Sequence, residues 1–185
     1  MAKIVQTDVE SYYFGYPVNA AILTCSSQGV VNAMTLAWHT TFSSVPLQYG
    51  VLISRTNFTN PLIAESSEFV INFMPAKHAD LVAKVGGCSG NDVDKFSTFG
   101  IQTTPGSTVG APVLSAAYAS YECKVVDRKI YGDHELFVGQ VAAVQWEESA
   151  FSEDGTIDLE QVLPTLTLGE DLYAHVSKTV HHPRR

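Results

Sequence analysis

Two long β-type runs, "YASYECKVVDRKIYG" (118–132) and "HELFVGQVAAVQWEE" (134–148), are separated by Asp133 alone. Gly132-Asp133 is a turn signal between alternating segments, so the pattern predicts a hairpin of two unusually long antiparallel strands. Strands of that length accumulate twist, and long paired strands that curve belong most naturally to a barrel. The remaining runs fit the same architecture. "VNAAILTC" (18–25), the turn "SSQGV" and "VNAMTLAWHT" predict a second hairpin, and "PLQYGVLIS" (46–54) and "SEFVINFM" (67–74) predict further strands.

Short helices interrupt the strands. In "TNFTNPLIAESS" either Thr59 or Asn60 can cap and Pro61 suits the first helical position, with an apolar turn lasting to about Ala64. "AKHADLVAKVGG" (76–87) places Leu81, Val82 and Val85 on one side and stops at Gly86, and "NDVDKFSTFG" (91–100) predicts a short helix closed by Gly100. Residues 149–163 are expected to form a polar loop with an Asp-Gly turn, and "PTLTLGEDLY" (164–173) a last short strand and turn. The expectation is one mainly β domain over 1–185, with two or three inserted helices, a core at about 16–173 and a polar tail over 174–185.

Charge narrows the function classes. The 185 residues carry only 11 Lys and Arg against 19 Asp and Glu, a net charge of −8, which argues against a face for nucleic acid or anionic membranes. No apolar run approaches the roughly 18 residues of a spanning helix, and "MAKIVQTDVESYYFGYP" has no apolar leader segment. Cys25, Cys88 and Cys123 are widely spaced, as expected of free thiols in a reducing compartment, and the chain reads as soluble and cytoplasmic. Low charge with much Val, Ala, Ser and Thr also suggests a surface hidden by a partner subunit. The dispersed histidines give no metal-ligand spacing, and no nucleophile elbow, GxGxxG, P-loop or HExxH is present.

Three segments carry candidate chemistry. "VVNAMTLAWHTTFSSVP" (30–46) contains an Asn, five Ser/Thr hydroxyls, a Trp and a His, but no charge. Small, hydroxylated strand residues let a flat ligand lie against the backbone, whose N–H and C=O groups read its edge. An ordinary barrel strand whose hydroxyls bond neighbouring backbone fits the same residues. In "SRTNFTNP" (54–61), Arg55 and several hydroxyls precede a helix start, a natural phosphate cradle, although a surface Arg before a capped helix fits as well. In "GCSGNDVDKF" (87–96), Lys95 can reach a phosphate or a ligand carbonyl, or pair with Asp92 or Asp94 at the surface. "YGDHELFVGQV" (131–141) sets His134 at the start of a strand, beside an Asp133 able to order the turn or the imidazole.

Taken in order, "YPVNAAILTC", "NAMTLAWHTTFSSVPL", "SRTNFTNPLIAESSEFVINF", "SGNDVDKF", "APVLSAAYASYECKV", "GDHELFVGQV" and "LTLGEDLYA" resemble the flavin reductase-like family of FMN-binding split barrels, the flavoredoxin-like proteins, from about Tyr16 to Tyr173. The resemblance implies a six-stranded split β-barrel of Greek-key type, a homodimer, and FMN held noncovalently near the subunit interface. It places Asn32, Ala33, Met34, Thr35 and Leu36 beside the isoalloxazine, largely through backbone groups. Ser54, Arg55 and Thr59 match the phosphate-side segment, with Thr56 as a helper, and Lys95 matches an Asp-Lys-Phe position near the cofactor. His134 matches a histidine by the flavin and nicotinamide, and Trp38 and His39 flank the pocket, His39 being equally open to a structural role. Members of such a family reduce flavin with NAD(P)H, or keep FMN bound and pass electrons to a redox partner. The resemblance therefore implies hydride transfer from NAD(P)H to flavin, with an electron-carrying FMN protein, or a flavin-binding dimeric module without catalysis, as the alternatives.

Overall fold

A computed structural model describes residues 3–9, 13–176 and 178–180; the predicted tail over 174–185 falls only partly within them. The strands are β1 (Val18–Asn19), β2 (Ala21–Ser27), β3 (Val30–Leu36), β4 (His39–Ser44), β5 (Leu47–Ser54), β6 (Glu68–Phe73), β7 (Thr103–Thr104), β8 (Val113–Leu114), β9 (Ala119–Tyr131), β10 (His134–Trp146), β11 (Leu166–Gly169) and β12 (Leu172–Ala174). The helices are α1 (Thr59–Ser66), α2 (Ala79–Gly86) and α3 (Lys95–Phe99).

The main sheet runs β3-β2-β6-β9-β10-β5-β4 and is antiparallel throughout. It has seven strands where six were expected, because "VNAMTLAWHTTFSS" is broken at Ala37–Trp38 into β3 and β4. Those two strands lie at opposite edges of the sheet. Leu36 and His39 are three residues apart, so their Cα atoms lie within about 11 Å of each other. A sheet whose outermost strands are joined by so short a link must roll until its edges nearly meet. The uncharged run is therefore the seam of the barrel.

The long hairpin supplies the curvature. β9 and β10 pair from His134↔Tyr131 to Trp146↔Ala119, with register shifts between Val138 and Gly139 and between Val141 and Ala143. Such shifts bend a strand and increase its twist. At the first of them Gly139 lets β10 press onto the core: a Cβ there would sit 2.7 Å from the Cys123 side chain and 2.8 Å from the Phe69 ring.

Two apolar clusters hold the barrel. Leu23, Val51, Ile53, Phe69, Ile71 and Phe137 are fully buried inside it, while Ile22, Met74, Val82 and Val85 pack on the other face of β2 under α2. Because β2 is covered on both faces, it reads as a nearly continuous apolar run rather than an alternating one. Full burial of each such side chain contributes about 1.5–3 kcal/mol. No helix among the described residues is long and apolar enough to cross a membrane.

The helices differ from expectation at their starts. α1 begins at Thr59 after an N-cap Phe58 that makes no side-chain cap bond, and it extends to Ser66 rather than Ala64. Neither Thr59 nor Asn60 caps it; the Thr59 hydroxyl accepts a bond from another element, and Pro61 lies in the first turn, where a missing N–H leaves nothing unpaired. The predicted helix over 76–87 is α2, preceded by a 3₁₀ turn at Ala76–His78. α3 is closed by Gly100 at φ 64°, as predicted.

Candidate functional site

Gln28 and Gly29, at φ 49° and 82°, reverse the chain tightly from β2 into β3, the conformation a two-residue hairpin turn requires. β3 then runs along an edge of the main sheet with a strand neighbour on one side only. Around it a cavity of about 410 Å³ is bounded by the loop into α1 with its first residue (56–59), the glycine-rich stretch from the end of α2 onward (86–90) and Lys95. From β3 itself Asn32, Met34 and Thr35 line it.

Specific bonds set this geometry. Asn32 Nδ2 donates to Thr59 Oγ1 at 2.9 Å, and the Thr35 hydroxyl donates to the Val82 carbonyl, tying β3 to α1 and α2. Gly90 lies against the Asn32 amide so closely that a Cβ on it would sit 2.1 Å from Oδ1 and 2.9 Å from the Phe58 ring. The cavity wall at this point exists only because residue 90 has no side chain. In the first turn of α1, the buried Asn60 Nδ2 has no hydrogen-bond partner among the described residues.

Lys95 is not the surface ion pair that its neighbours Asp92 and Asp94 suggested. It is 4% exposed and its Nζ donates to the Val85 carbonyl at 2.7 Å. Asp94 instead caps α3, accepting at Oδ1 from the backbone N–H groups of Phe96 (3.1 Å) and Ser97 (3.3 Å). Burial pushes the Lys95 pKa down, opposed by the nearby Cys88 thiol. An ammonium has three donors, and Val85 takes one of them. The cleft thus collects a desolvated cation, an amide and hydroxyls, a set suited to an anion or to the polar edge of a flat ligand.

A second group of side chains adjoins this cleft. Ser54 Oγ lies 3.0 Å from Thr56 Oγ1, and Thr56 lines the cavity. The Arg55 backbone N–H donates to the Asp133 carbonyl at 3.1 Å, fastening the hairpin turn to the end of β5. Asp133 Oδ1 holds His134 Nδ1 at 2.8 Å, and the bond keeps the Asp133 carboxyl below its usual range. The His134 ring stacks on Trp38 with centroids 4.6 Å apart, and Trp38 Nε1 donates to the Tyr16 hydroxyl at 3.1 Å.

Asn32, Met34, Thr35, Thr59 and Lys95 therefore converge on one cavity. Ala33 and Leu36 face the two apolar clusters, leaving their backbone as what β3 can offer there. Ser54 and an exposed Arg55 stand outside the lining, as does His134. His39 serves the fold, bonded to Tyr49 OH and the Asn19 carbonyl. The residues not anticipated are Gly86–Gly90 and the buried Asn60; a cluster of three glycines in "GGCSG" was the available signal. Among the described residues no three His, Cys, Asp or Glu side chains are grouped to hold a metal.

Comparison with known proteins adds to this geometry. A family model described as "Flavin reductase like domain" matches residues 13–171. An uncharacterized protein of Pyrococcus abyssi is 34% identical over 143 residues, covering 77% of this chain and 82% of its own. A structure of an FMN-binding protein from Thermus thermophilus with bound 1-cyclohex-2-enone superposes with a TM-score of 0.87 at 32% identity, over 99% of both chains. A flavoredoxin from Methanosarcina acetivorans superposes with a TM-score of 0.85 at 26% identity, over 98% of this chain and 95% of its own.

Proposed function

The chain belongs to the flavin reductase-like domain family, and from that premise we propose that it binds FMN noncovalently and carries a hydride from NAD(P)H to it. The observation that carries this reading is the convergence of Asn32, Thr56, Thr59 and Lys95 on one cleft beside a sheet edge. The residues fit the cofactor. A phosphate requires concentrated donors with at least one cation, which Lys95 and the two threonines supply, with Arg55 at the rim. The unpartnered Asn60 Nδ2 leaves further donor capacity in the first turn of α1. A ring system with alternating donors and acceptors requires unpaired backbone, which the free edge of β3 from Asn32 to Leu36 provides. FMN, when bound, supplies the N5 position that accepts a hydride.

The chain's own contribution is orientation and polarity. Gly90 holds the glycine loop against Asn32, which fixes the cleft's width. Lys95 places a positive charge at the cleft, and its carbonyl partner Val85 keeps the ammonium in one direction. His134, held by Asp133 and stacked on Trp38, forms a rigid aromatic corner next to Ser54, its partner across β10 and β5. That corner is suited to orient a nicotinamide, and no acid–base group is required for the transfer itself.

The decisive experiment is purification without added flavin, followed by an absorption spectrum, FMN titration and NADH and NADPH oxidation. Bound or titratable FMN with NAD(P)H oxidation supports the proposal. A protein that neither binds FMN nor oxidises NAD(P)H in its presence overturns it. The flavoredoxin relative favours a second reading, an electron carrier for a protein partner. FMN that is reduced by dithionite but stays oxidised under NADH and NADPH would select that reading.

The exposed Phe42, Val45, Val126, Ile130 and Tyr131 are suited to burial against a second copy. A homodimer with FMN near the interface is part of the proposal. Light scattering that returns a monomer at working concentration removes that part.

A further inference from the structure

A second cavity, larger than the cleft beside β3, lies elsewhere in the barrel. It has a volume of about 900 Å³ and opens where β4, β5, β9 and β10 meet the loop over 147–164. That volume lies within the range of small-molecule sites, which favour barrel mouths. Trp38 and His39 are consecutive, yet Trp38 stacks on His134 while His39 enters this cavity's wall.

Aromatic rings form the wall. Tyr49, Phe73 and Tyr121 are mutually edge-to-face, with centroids 6.0 Å (Tyr49–Phe73), 5.4 Å (Tyr49–Tyr121) and 5.1 Å (Phe73–Tyr121) apart, a stiff corner at the mouth. Tyr118 joins this corner to Phe151 of the loop at 6.2 Å, and Trp146, 61% exposed, stands at the rim.

The charges on the lining have one sign. Glu148 and Glu153 line the cavity, and no Lys or Arg is among the described residues that do. His39 adds no positive charge. Its Nε2 faces the Asn19 carbonyl at 3.1 Å, which can only accept, so Nε2 carries the proton and Nδ1 accepts from Tyr49 OH at 2.7 Å. Burial pushes the His39 pKa down to about 4, so the ring is neutral at pH 7.

We propose that this cavity is a second ligand site, one that takes a flat organic cation between its aromatic wall and the two carboxylates. Rings attract a cation through their quadrupole, and the two exposed carboxylates add an attraction that solvent and salt screen. The same lining disfavours nucleotides and other anions, which would meet two carboxylates and no cation. The site therefore differs in chemistry from the cleft at Lys95, and the proposal does not depend on what that cleft binds.

Calorimetry on the full chain, with whatever flavin it retains, tests this with two probes of similar size at pH 8: the N-methylquinolinium cation and neutral quinoline. The cation is expected to bind about tenfold more tightly or better. In the Glu148→Gln/Glu153→Gln variant that preference should fall several-fold, to what the rings alone supply, with quinoline affinity unchanged. The control Glu170→Gln/Asp171→Asn, which removes the same charge outside the lining, should keep the preference. Both double variants alter exposed side chains, and matching melting temperatures verify their folding. Equal affinity for the two probes, binding of neither, or an undiminished preference in Glu148→Gln/Glu153→Gln overturns the proposal. Failure of both probes is also the outcome expected if a second copy covers the mouth.

Discussion

Asn32 donates from its amide to the hydroxyl of Thr59 at 2.9 Å, and both side chains are almost completely buried. The bond joins the free-edge strand to the first turn of α1, so two walls of the cleft share one strut. Asn32→Ala removes the donor and leaves the Thr59 oxygen buried without it. We expect a loss of about 1–3 kcal/mol in urea unfolding, together with weaker FMN binding by fluorescence titration. Unchanged FMN affinity would separate this strut from the proposed cofactor site.

Gly90→Ala tests the same wall from the other side. Its Cβ would fall 2.1 Å from Asn32 Oδ1, so the loop over 86–90 must lift. Because the loop is partly exposed whereas Asn32 is buried, FMN affinity should fall by about tenfold with a smaller loss of stability than in Asn32→Ala. Crystals of the variant should show the loop displaced; a loop in place with full FMN affinity would contradict the assignment.

Arg55 and Lys95 should not be equivalent. Arg55 is exposed and outside the cavity lining, where solvent and salt screen its charge. Arg55→Ala should weaken FMN a few-fold, with less effect on riboflavin, which lacks the phosphate. Lys95→Met removes a desolvated charge and should weaken FMN by a larger factor. Equal losses for FMN and riboflavin in Arg55→Ala would move that side chain off the phosphate.

His134→Ala should leave FMN affinity intact and lower kcat/KM for NAD(P)H by about tenfold or more. Trp38→Ala should shift it in the same direction, since the indole is the surface on which the imidazole rests. Stopped-flow reduction of the bound flavin reads this step directly. Unchanged kinetics in His134→Ala would make the histidine a turn residue only.

Acid should destabilise the fold in two overlapping windows. Burial holds His39 at about 4 against an unfolded value of 6.5, so the unfolded state binds the extra proton and stability falls as pH drops from 6.5 toward 4. For Glu122 burial alone would raise the pKa. The backbone N–H groups of Ser107 and Thr108, then the Gln145 amide and the Thr108 hydroxyl, outweigh it and leave a value of about 2. Its stability contribution is present above 4.5 and is lost as pH falls toward 2. Urea midpoints against pH should lose the upper limb in His39→Gln and the lower limb in Glu122→Gln. A wild-type midpoint that stays flat from pH 6.5 to 4 would contradict the His39 assignment.

Local chemistry made much of this protein legible. The turn at Gly132-Asp133, the two long strands, the helix stop at Gly100 and the ordered segments from Tyr16 to Tyr173 each depend on neighbours within a few residues. Turn residues, side-chain alternation and cap geometry act over that range, so the mainly β barrel and its family could be read from residue order. Single motifs did not group Asn32, Thr35, Thr59 and Lys95; the family resemblance implied a shared ligand for them, and they line one cavity.

Tertiary structure decided the rest. Nothing near Lys95 in the chain reveals that the ammonium turns inward to the Val85 carbonyl. Nothing in "VNAMTLAWHTTFSS" shows that it breaks at Ala37–Trp38 and becomes both edges of the sheet. Trp38 and His39 are neighbours in sequence, yet one supports His134 and the other lines the aromatic cavity. These outcomes turn on which distant groups compete for the same donor, edge or face. That competition is settled only when the barrel closes and water is excluded.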